Sequence, residues 1–124
     1  MNTPTVNIYV GDKRRFDKPF ATMEGDQVYE GEKGFMESAL LTIVENKIFQ
    51  GKKGWFESPL ATVVDNKVYE GDKNLFENPI ATIIGNQVFP GEKGDFKYPI
   101  ASVEPKSNMA AAAAAVLILL PFQG

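Results

Sequence analysis

The chain repeats one pattern of twenty residues almost five times. The pattern runs aromatic, any, Gly, any, Lys, two of any kind, Phe, two of any kind, Pro, apolar, Ala, Thr, apolar. Its aromatic position falls at Tyr9, Tyr29, Phe49, Tyr69 and Phe89. A short repeat of this kind is typical of copies of one supersecondary unit that stack or surround an axis, because a single unit cannot bury its own apolar face. The repeat therefore constrains architecture far more than activity.

The composition excludes several classes of site. With 124 residues, 44% of them hydrophobic, the chain is expected to form one domain over residues 1–124. It has no cysteine and no histidine, which rules out disulfides, Cys/His zinc sites, thiol nucleophiles and histidine triads. The net charge is −3, and lysine and glutamate are interspersed along the chain. The chain therefore lacks the concentrated basic face that binds nucleic acid. We expect no enzyme, no cofactor, no metal site and no nucleic-acid partner.

Each repeat reads as a β-hairpin. Residues 61–64 and 67–70 are rich in β-branched and aromatic side chains and flank a two-residue turn, a strong hairpin signal. The turn pairs are Gly25-Asp26, Glu45-Asn46, Asp65-Asn66 and Gly85-Asn86. Gly, Asn and Asp tolerate the positive φ of such turns, so Glu45 is the ill-suited member. The turn would place Val63 opposite Val68 and Thr62 opposite Tyr69.

The two ends of the repeat region complement each other. Residues 100–104 form a first strand without a second, and residues 6–11 match a second strand without a first. Their pairing would close a ring and remove exposed strand edges. We predict an all-β fold over residues 5–104, a closed ten-stranded antiparallel barrel of five hairpin repeats with pseudo-five-fold symmetry. An open β-solenoid is the alternative.

A ten-stranded barrel has a bore that must be filled. Strands about 4.8 Å apart and tilted by about 40° give a backbone diameter of roughly 20 Å. Residues 107–120 form an apolar, alanine-rich segment that Ser107 or Asn108 can cap, which predicts a central helix. The alternative, a membrane anchor, falls short of the roughly twenty apolar residues that span a bilayer.

The predicted helix is longer than the predicted barrel. Fourteen residues, 107–120, make a helix of about 21 Å, against about 13 Å for a barrel of five-residue strands. One end should therefore protrude. Residues 117–120 and Phe122 would then form an apolar tip for a membrane surface or a partner.

The repeat contains Tyr-x-Gly and Pro-Ile-Ala-Thr-Ile/Val segments around a Gly/Asp-Asn turn. Over residues 5–104 it resembles the β-flower proteins, a family of shallow, symmetric hairpin barrels. A barrel around an apolar C-terminal helix is also similar in plan to the tubby C-terminal domain and the phospholipid scramblases. That similarity implies a lipid-associated role by analogy of fold alone. No tubby phosphoinositide motif is present, so no binding residue is transferred. MORN repeats share Tyr-Glu-Gly but lack the Pro-apolar-Ala-Thr half.

The symmetry predicts a ring of lysines after the glycines. Its members are Lys13, Lys33, Lys53, Lys73 and Lys93. Together they would form a cationic collar for phosphate headgroups, although acidic neighbours nearly cancel the charge and favour simple solvated lysines. Trp55 breaks the symmetry and is a candidate contact. Leu119, Leu120 and Phe122 are the candidate contacts on the helix tip.

The resulting hypothesis is a non-catalytic barrel module that binds membrane or lipid. The alternative is a lectin-like module that binds glycans or proteins through the connectors between hairpins. Residues 1–6 lack a secretory signal and cysteine is absent, so we expect a cytoplasmic protein at the membrane periphery. Neither face of the strands is cleanly apolar, and we favour Ala and Val facing inward.

Overall fold

Ten short strands and one helix make up the part of the chain that the structure describes. The structure is a computed structural model that describes residues 5–11, 18–31, 39–51, 58–72, 78–92 and 98–120. The elements are β1 (Thr5–Val10), β2 (Ala21–Glu24), β3 (Gln27–Glu30), β4 (Leu41–Val44), β5 (Lys47–Gln50), β6 (Ala61–Val64), β7 (Lys67–Glu70), β8 (Ala81–Ile84), β9 (Gln87–Pro90), β10 (Ala101–Glu104) and α1 (Asn108–Leu119).

The strands form a closed antiparallel barrel in chain order, with β1 between β2 and β10. Ile8 lies opposite Val103 on one side and opposite Ala21 on the other. Four hairpins are local in sequence, and β10 with β1 makes the fifth. The predicted closure by the two ends of the repeat region is confirmed, and the open solenoid is excluded.

The register follows from the two-residue turns. Val63 pairs with Val68 and Thr62 with Tyr69, as predicted. Side chains of alternate residues face the bore, and the prediction of Ala and Val inward is confirmed. The fully buried residues of this inner layer are Ile8, Ala21, Val28, Leu41, Ile48, Ala61, Val68, Ala81, Val88, Ala101 and Val103.

The first residue of each turn adopts positive φ. Glycine fills this position at Gly25 and Gly85, where φ is 64° and 63°. Glu45 and Asp65 hold φ of 56°, a conformation that side chains with a Cβ adopt at a cost. The turn geometry is thus imposed by the strand pairing on either side rather than by the local preference of Glu45.

Glu45→Gly is therefore expected to stabilise the barrel. Glycine adopts the left-handed conformation without the steric cost that Glu45 has, and its greater entropy in the unfolded chain offsets part of this gain. The free energy of unfolding should therefore rise by about 0.5–1 kcal/mol. Urea denaturation measures it. Glu24→Gly is the matched control, since Glu24 lies in β2 beside another turn and should lose stability. A lower urea midpoint for Glu45→Gly would contradict the argument.

The second residue of each turn ties its hairpin to the next one. Its carbonyl accepts a hydrogen bond from the third residue of the next first strand, as in Val63 N to Asn46 O at 2.8 Å. Where the second turn residue is Asn, its side-chain amide also donates a hydrogen bond to the carbonyl of that strand residue. The three pairs are Asn46 Nδ2 to Val63 O, Asn66 Nδ2 to Ile83 O and Asn86 Nδ2 to Val103 O, at 3.0–3.1 Å. These pairs explain the recurrence of Asn in the turns.

A second set of hydrogen bonds joins the strands of each hairpin on the outer face. A buried hydroxyl donates to the carbonyl of the glycine that follows the partner strand, in the pairs Thr22 with Gly31, Thr42 with Gly51, Thr62 with Gly71, Thr82 with Gly91 and Ser102 with Gly11. The last bond, at 3.0 Å, crosses between β10 and β1. The repeated Thr and Gly are therefore explained as one structural unit.

The helix α1 fills the bore. Residues Ala110–Ala115 and Val116 have no exposed surface, and they share one core with the inward strand residues. Ser107 Oγ accepts a hydrogen bond from Ala110 N at 3.2 Å, and Asn108 Nδ2 donates to Asp65 O at 2.8 Å. The predicted central helix is confirmed, and Ser107 is the one of the two candidate caps, Ser107 or Asn108, that caps it.

The helix sits to one side of the bore. It packs mainly against β1 and β6 to β10. On the other side Leu41 and Ile48 occupy the inner positions that Ala61 and Val68 hold in the next hairpin. These larger side chains occupy part of the space that the helix leaves on that side.

Candidate functional site

The two ends of the barrel differ in what surrounds the helix. The turn end holds the two-residue turns and the start of α1, which Asn108 fixes to Asp65. Since the next residues of α1 are buried among the strands, its C-terminal end lies at the opposite end, where the strands join the connectors. We call this end the connector mouth, defined by residues 117–120 and by the last residues of the odd-numbered strands, Val10, Glu30, Gln50, Glu70 and Pro90.

The burial of α1 matches the height of the barrel wall. The seven residues from Ala110 to Val116 span about 10 Å at 1.5 Å per residue. Four-residue strands tilted by about 40° give a wall of similar height. Beyond Val116, the side chains of Leu117, Ile118, Leu119 and Leu120 are only half-buried.

The predicted apolar tip is thus partly covered by the barrel. Leu119 and Leu120, two of the predicted contact residues, lie at the connector mouth and pack against the core together with Leu117 and Ile118. They are half-buried rather than fully exposed, because short strands and the residues that precede them surround the emerging helix. Leu40, Leu60, Ile80 and Ile100 are half-buried against the same core.

The remaining predicted contact residues lie outside the described residues. They are the lysine collar of Lys13, Lys33, Lys53, Lys73 and Lys93, together with Trp55 and Phe122. The collar and the tryptophan contact stay predictions. What the structure brings together at the connector mouth is the end of α1 and the last residues of the strands.

The connector mouth is not five-fold symmetric. Glu30 and Glu70 are exposed, and Gln50 and Pro90 are half-buried. Val10 occupies the equivalent place on β1 and is 56% exposed. The helix packs most closely against β8, β9, β10 and β1, so the side of the mouth with Val10 and Pro90 is apolar and faces the acidic side with Glu30 and Glu70.

Sequence reasoning missed two further exposed apolar side chains near β1. Phe20 is 40% exposed and Tyr98 is 77% exposed. Their signal was a departure from the repeat: Tyr98 stands where two other copies have Ser58 and Asn78. The repeat is defined by its shared positions, so a single departure such as Tyr98 does not by itself indicate a site.

Within the described residues, no group of three or more carboxylates is placed to hold a metal ion. No helix in the described part of the chain has the length and apolarity needed to cross a bilayer. Every buried polar side-chain atom described has a hydrogen-bond partner. Among the described residues, the connector mouth has aliphatic side chains on one side and the carboxylates of Glu30 and Glu70 on the other.

A family model described as "6-fold beta flower protein" matches residues 8–121. This span holds nine complete strands, the second half of β1 and the whole of α1. The chain belongs to the 6-fold beta flower family. Its described strands form five hairpins around the helix, one fewer than the family's description counts. The predicted β-flower resemblance is confirmed at the level of the family, with this difference in the number of units.

Searches of curated proteins and of solved structures returned no match. The similarity in plan to the tubby C-terminal domain and the phospholipid scramblases is therefore unsupported by these comparisons. The family description names a fold and no ligand, and it identifies the chain as a small barrel module.

Proposed function

We propose that this beta flower barrel is a non-catalytic module that binds the surface of a lipid membrane through its connector mouth. The observation that carries the proposal is the abrupt change along α1. Seven consecutive residues are fully buried up to Val116, and the next four are large aliphatic residues that are half-buried. Apolar side chains grouped at one end of a small protein are typical of an interaction surface.

The helix is committed to the barrel over most of its length. Ser107 caps it, Asn108 ties it to Asp65, and the alanines fill the bore. At the connector mouth, the end of the helix beyond Val116 is available to a partner. Contact with a bilayer would therefore be at its surface, with the aliphatic end entering the boundary between headgroups and acyl chains.

The expected affinity is modest. Fully burying a Leu or Ile side chain contributes about 1.5–3 kcal/mol, and these residues are already half-buried. Their transfer into lipid would stabilise the complex by a fraction of that amount each. Weak apolar insertion gives reversible binding and needs a second contribution for stable attachment. We include in the proposal a cytoplasmic location at the membrane periphery.

Liposome flotation tests the proposal directly. The wild-type protein should float with vesicles, and Leu119→Asp should reduce the floated fraction about tenfold, because a carboxylate would have to enter the apolar boundary. Ile84→Asp is the matched control: Ile84 is 41% exposed and lies in β8 beside a turn, at the opposite end. Equal flotation of wild type and Leu119→Asp would count against the proposal.

Thermal unfolding of the same proteins separates binding from folding. Leu119 packs against the core, so its replacement by Asp lowers stability to some extent. If Leu119→Asp does not fold, Leu119→Ser provides the test, since it removes the apolar group without adding a charge. A folded Leu119→Ser that floats as well as wild type would exclude the helix end as the contact.

The glycan- or protein-binding alternative rests on Trp55 and the connectors, which lie outside the described residues. A glycan array or pull-down distinguishes it. A ligand whose binding is lost in Trp55→Ala and retained in Leu119→Asp would favour this alternative over the membrane surface.

A further inference from the structure

We propose that the barrel meets an anionic bilayer with one edge of the connector mouth, the edge formed by Val10, Phe20 and Tyr98, which we call the seam edge. The inference rests on the proposed function and specifies its orientation and lipid charge. The seam edge lies where β1 joins β10 and β2, and it supplies the second contribution to binding that the end of α1 needs.

Val10 and Tyr98 lie on the same side of the junction between β1 and β10. Val10 is the last residue of β1 and pairs with the first residue of β10. Gly11 N donates to Ile100 O at 2.8 Å, and Tyr98 precedes Ile100 by two residues. Both exposed side chains therefore belong to the connector end of this pair of strands.

Phe20 lies on the other side of β1. Phe20 N donates to Ile8 O at 2.7 Å, which holds the residue beside the C-terminal half of β1. The exposed apolar side chains thus flank one strand end, and α1 packs against β1 as well. The half-buried end of the helix and the seam edge share this side of the connector mouth.

The five-fold repeat supplies an internal comparison. At the position of Val10, two other copies have the exposed Glu30 and Glu70. At the position of Tyr98, other described copies have Lys18, Ser58 and Asn78, all exposed. At the position of Phe20, the other copies have Leu or Ile, each half-buried. Only around the seam edge are the described residues at these three positions all exposed and apolar.

The charge of the adjoining connector favours an anionic partner. Residues 12–18 join β1 to β2 and contain four basic and two acidic residues, the largest excess of positive charge in any of the five connectors. The basic residues are Lys13, Arg14, Arg15 and Lys18. Chain continuity attaches this connector to Gly11 at one end and leads to Phe20 at the other. The described residues by contrast contain nine acidic and four basic side chains.

Apolar side chains that are followed in the sequence by an excess of basic residues are typical of contact with an anionic bilayer. The aromatic and aliphatic groups enter the headgroup region, and lysine and arginine are attracted to the negative surface potential. The acidic half of the mouth, with Glu30 and Glu70, would be repelled by that surface. The barrel would therefore tilt so that β1 approaches the bilayer and β3 and β7 turn away.

Flotation with two kinds of vesicle tests the seam edge in the full chain. One kind is phosphatidylcholine alone, and the other contains phosphatidylserine as well. Wild type should float several-fold better with phosphatidylserine, and added salt should reduce the difference. Val10→Asp and Phe20→Glu should each lower flotation about tenfold. Val44→Asp is the control, because Val44 is exposed and lies in β4 beside a turn at the far end.

The outcomes separate this inference from the proposed function. Absence of flotation by wild type with either vesicle overturns both. Flotation that is lost in Leu119→Asp and unchanged in Val10→Asp and Phe20→Glu overturns only the seam edge. Equal flotation with both vesicles overturns the requirement for anionic lipid. Thermal unfolding of Val10→Asp and Phe20→Glu confirms that they are folded, and Phe20→Ser replaces Phe20→Glu if it is not.

Discussion

A chain that ends at Lys106 should lose its cooperative unfolding transition. Removal of α1 would expose the inward residues of the barrel, which include Ile8, Leu41 and Ile48, all fully buried in the structure. Each such side chain contributes about 1.5–3 kcal/mol when buried, so uncovering several of them exceeds the total stability of about 5–15 kcal/mol typical of a domain. Circular dichroism during heating and dye binding to exposed apolar surface measure the effect.

The control for this truncation is a chain that ends at Leu120. It keeps the whole of α1 and should unfold with the cooperativity of the full chain. The comparison also separates the two interpretations of the alanine-rich segment: a plug predicts collapse on truncation at Lys106, whereas an anchor predicts a folded and more soluble protein. A cooperative transition close to that of the full chain would show that the barrel stands without its helix.

Replacement of Ala113 by leucine should destabilise the barrel by about 2–3 kcal/mol. Ala113 has no exposed surface, and its neighbours along α1 are alanines buried on every side of the helix, so there is no free face into which a larger side chain can turn. Added methylene groups in a close-packed core force displaced side chains and backbone. The free energy of unfolding in urea measures the loss.

Ala39→Leu is the matched control for Ala113→Leu, since it makes the same substitution at a half-buried residue before β4. Its effect should stay within about 0.5 kcal/mol. If Ala113→Leu were as stable as wild type, the bore would have to contain space beside the helix, and the explanation of the alanine run as a requirement for slimness would be wrong.

The hairpins, their registers and the closure were predictable because each depends on few residues. A two-residue turn determines which residues face each other, as Val63 and Val68 do. The unpaired strand at either end of the repeat region had only one available partner, and Ile8 indeed lies opposite Val103. The helix was predictable from six alanines and a serine cap, since both act within one or two turns.

The inward face was harder to predict because both faces of the strands are buried in part. Thr62 and Thr82 are buried on the outer face, where each hydroxyl donates to a glycine carbonyl. An alternation of apolar and polar residues is the usual guide to the face of a strand. Here a buried threonine or serine in each first strand weakens that pattern.

The candidate site was predicted only in part. Leu119 and Leu120 were expected at a protruding helix end, and they lie at the connector mouth half-buried. The lysine collar is predicted because a lysine recurs in every repeat, and Trp55 is predicted because only one repeat has a tryptophan. Both lie outside the described residues. Val10, Phe20 and Tyr98 are not singled out by the repeat, because their exposure depends on how β2 and β10 pack against β1.

The sequence by itself determined the period, the turns, the partner of every strand and the presence of a slender apolar helix, because local turn chemistry, helix propensity and the matching of unpaired strands need no knowledge of distant contacts. Only the tertiary structure decided which face lines the bore, how far α1 lies from the axis and which apolar side chains remain exposed at the connector mouth. These depend on the volumes of residues far apart in the chain, such as Leu41, Ile48 and Ala113, which meet only when the barrel closes around the helix.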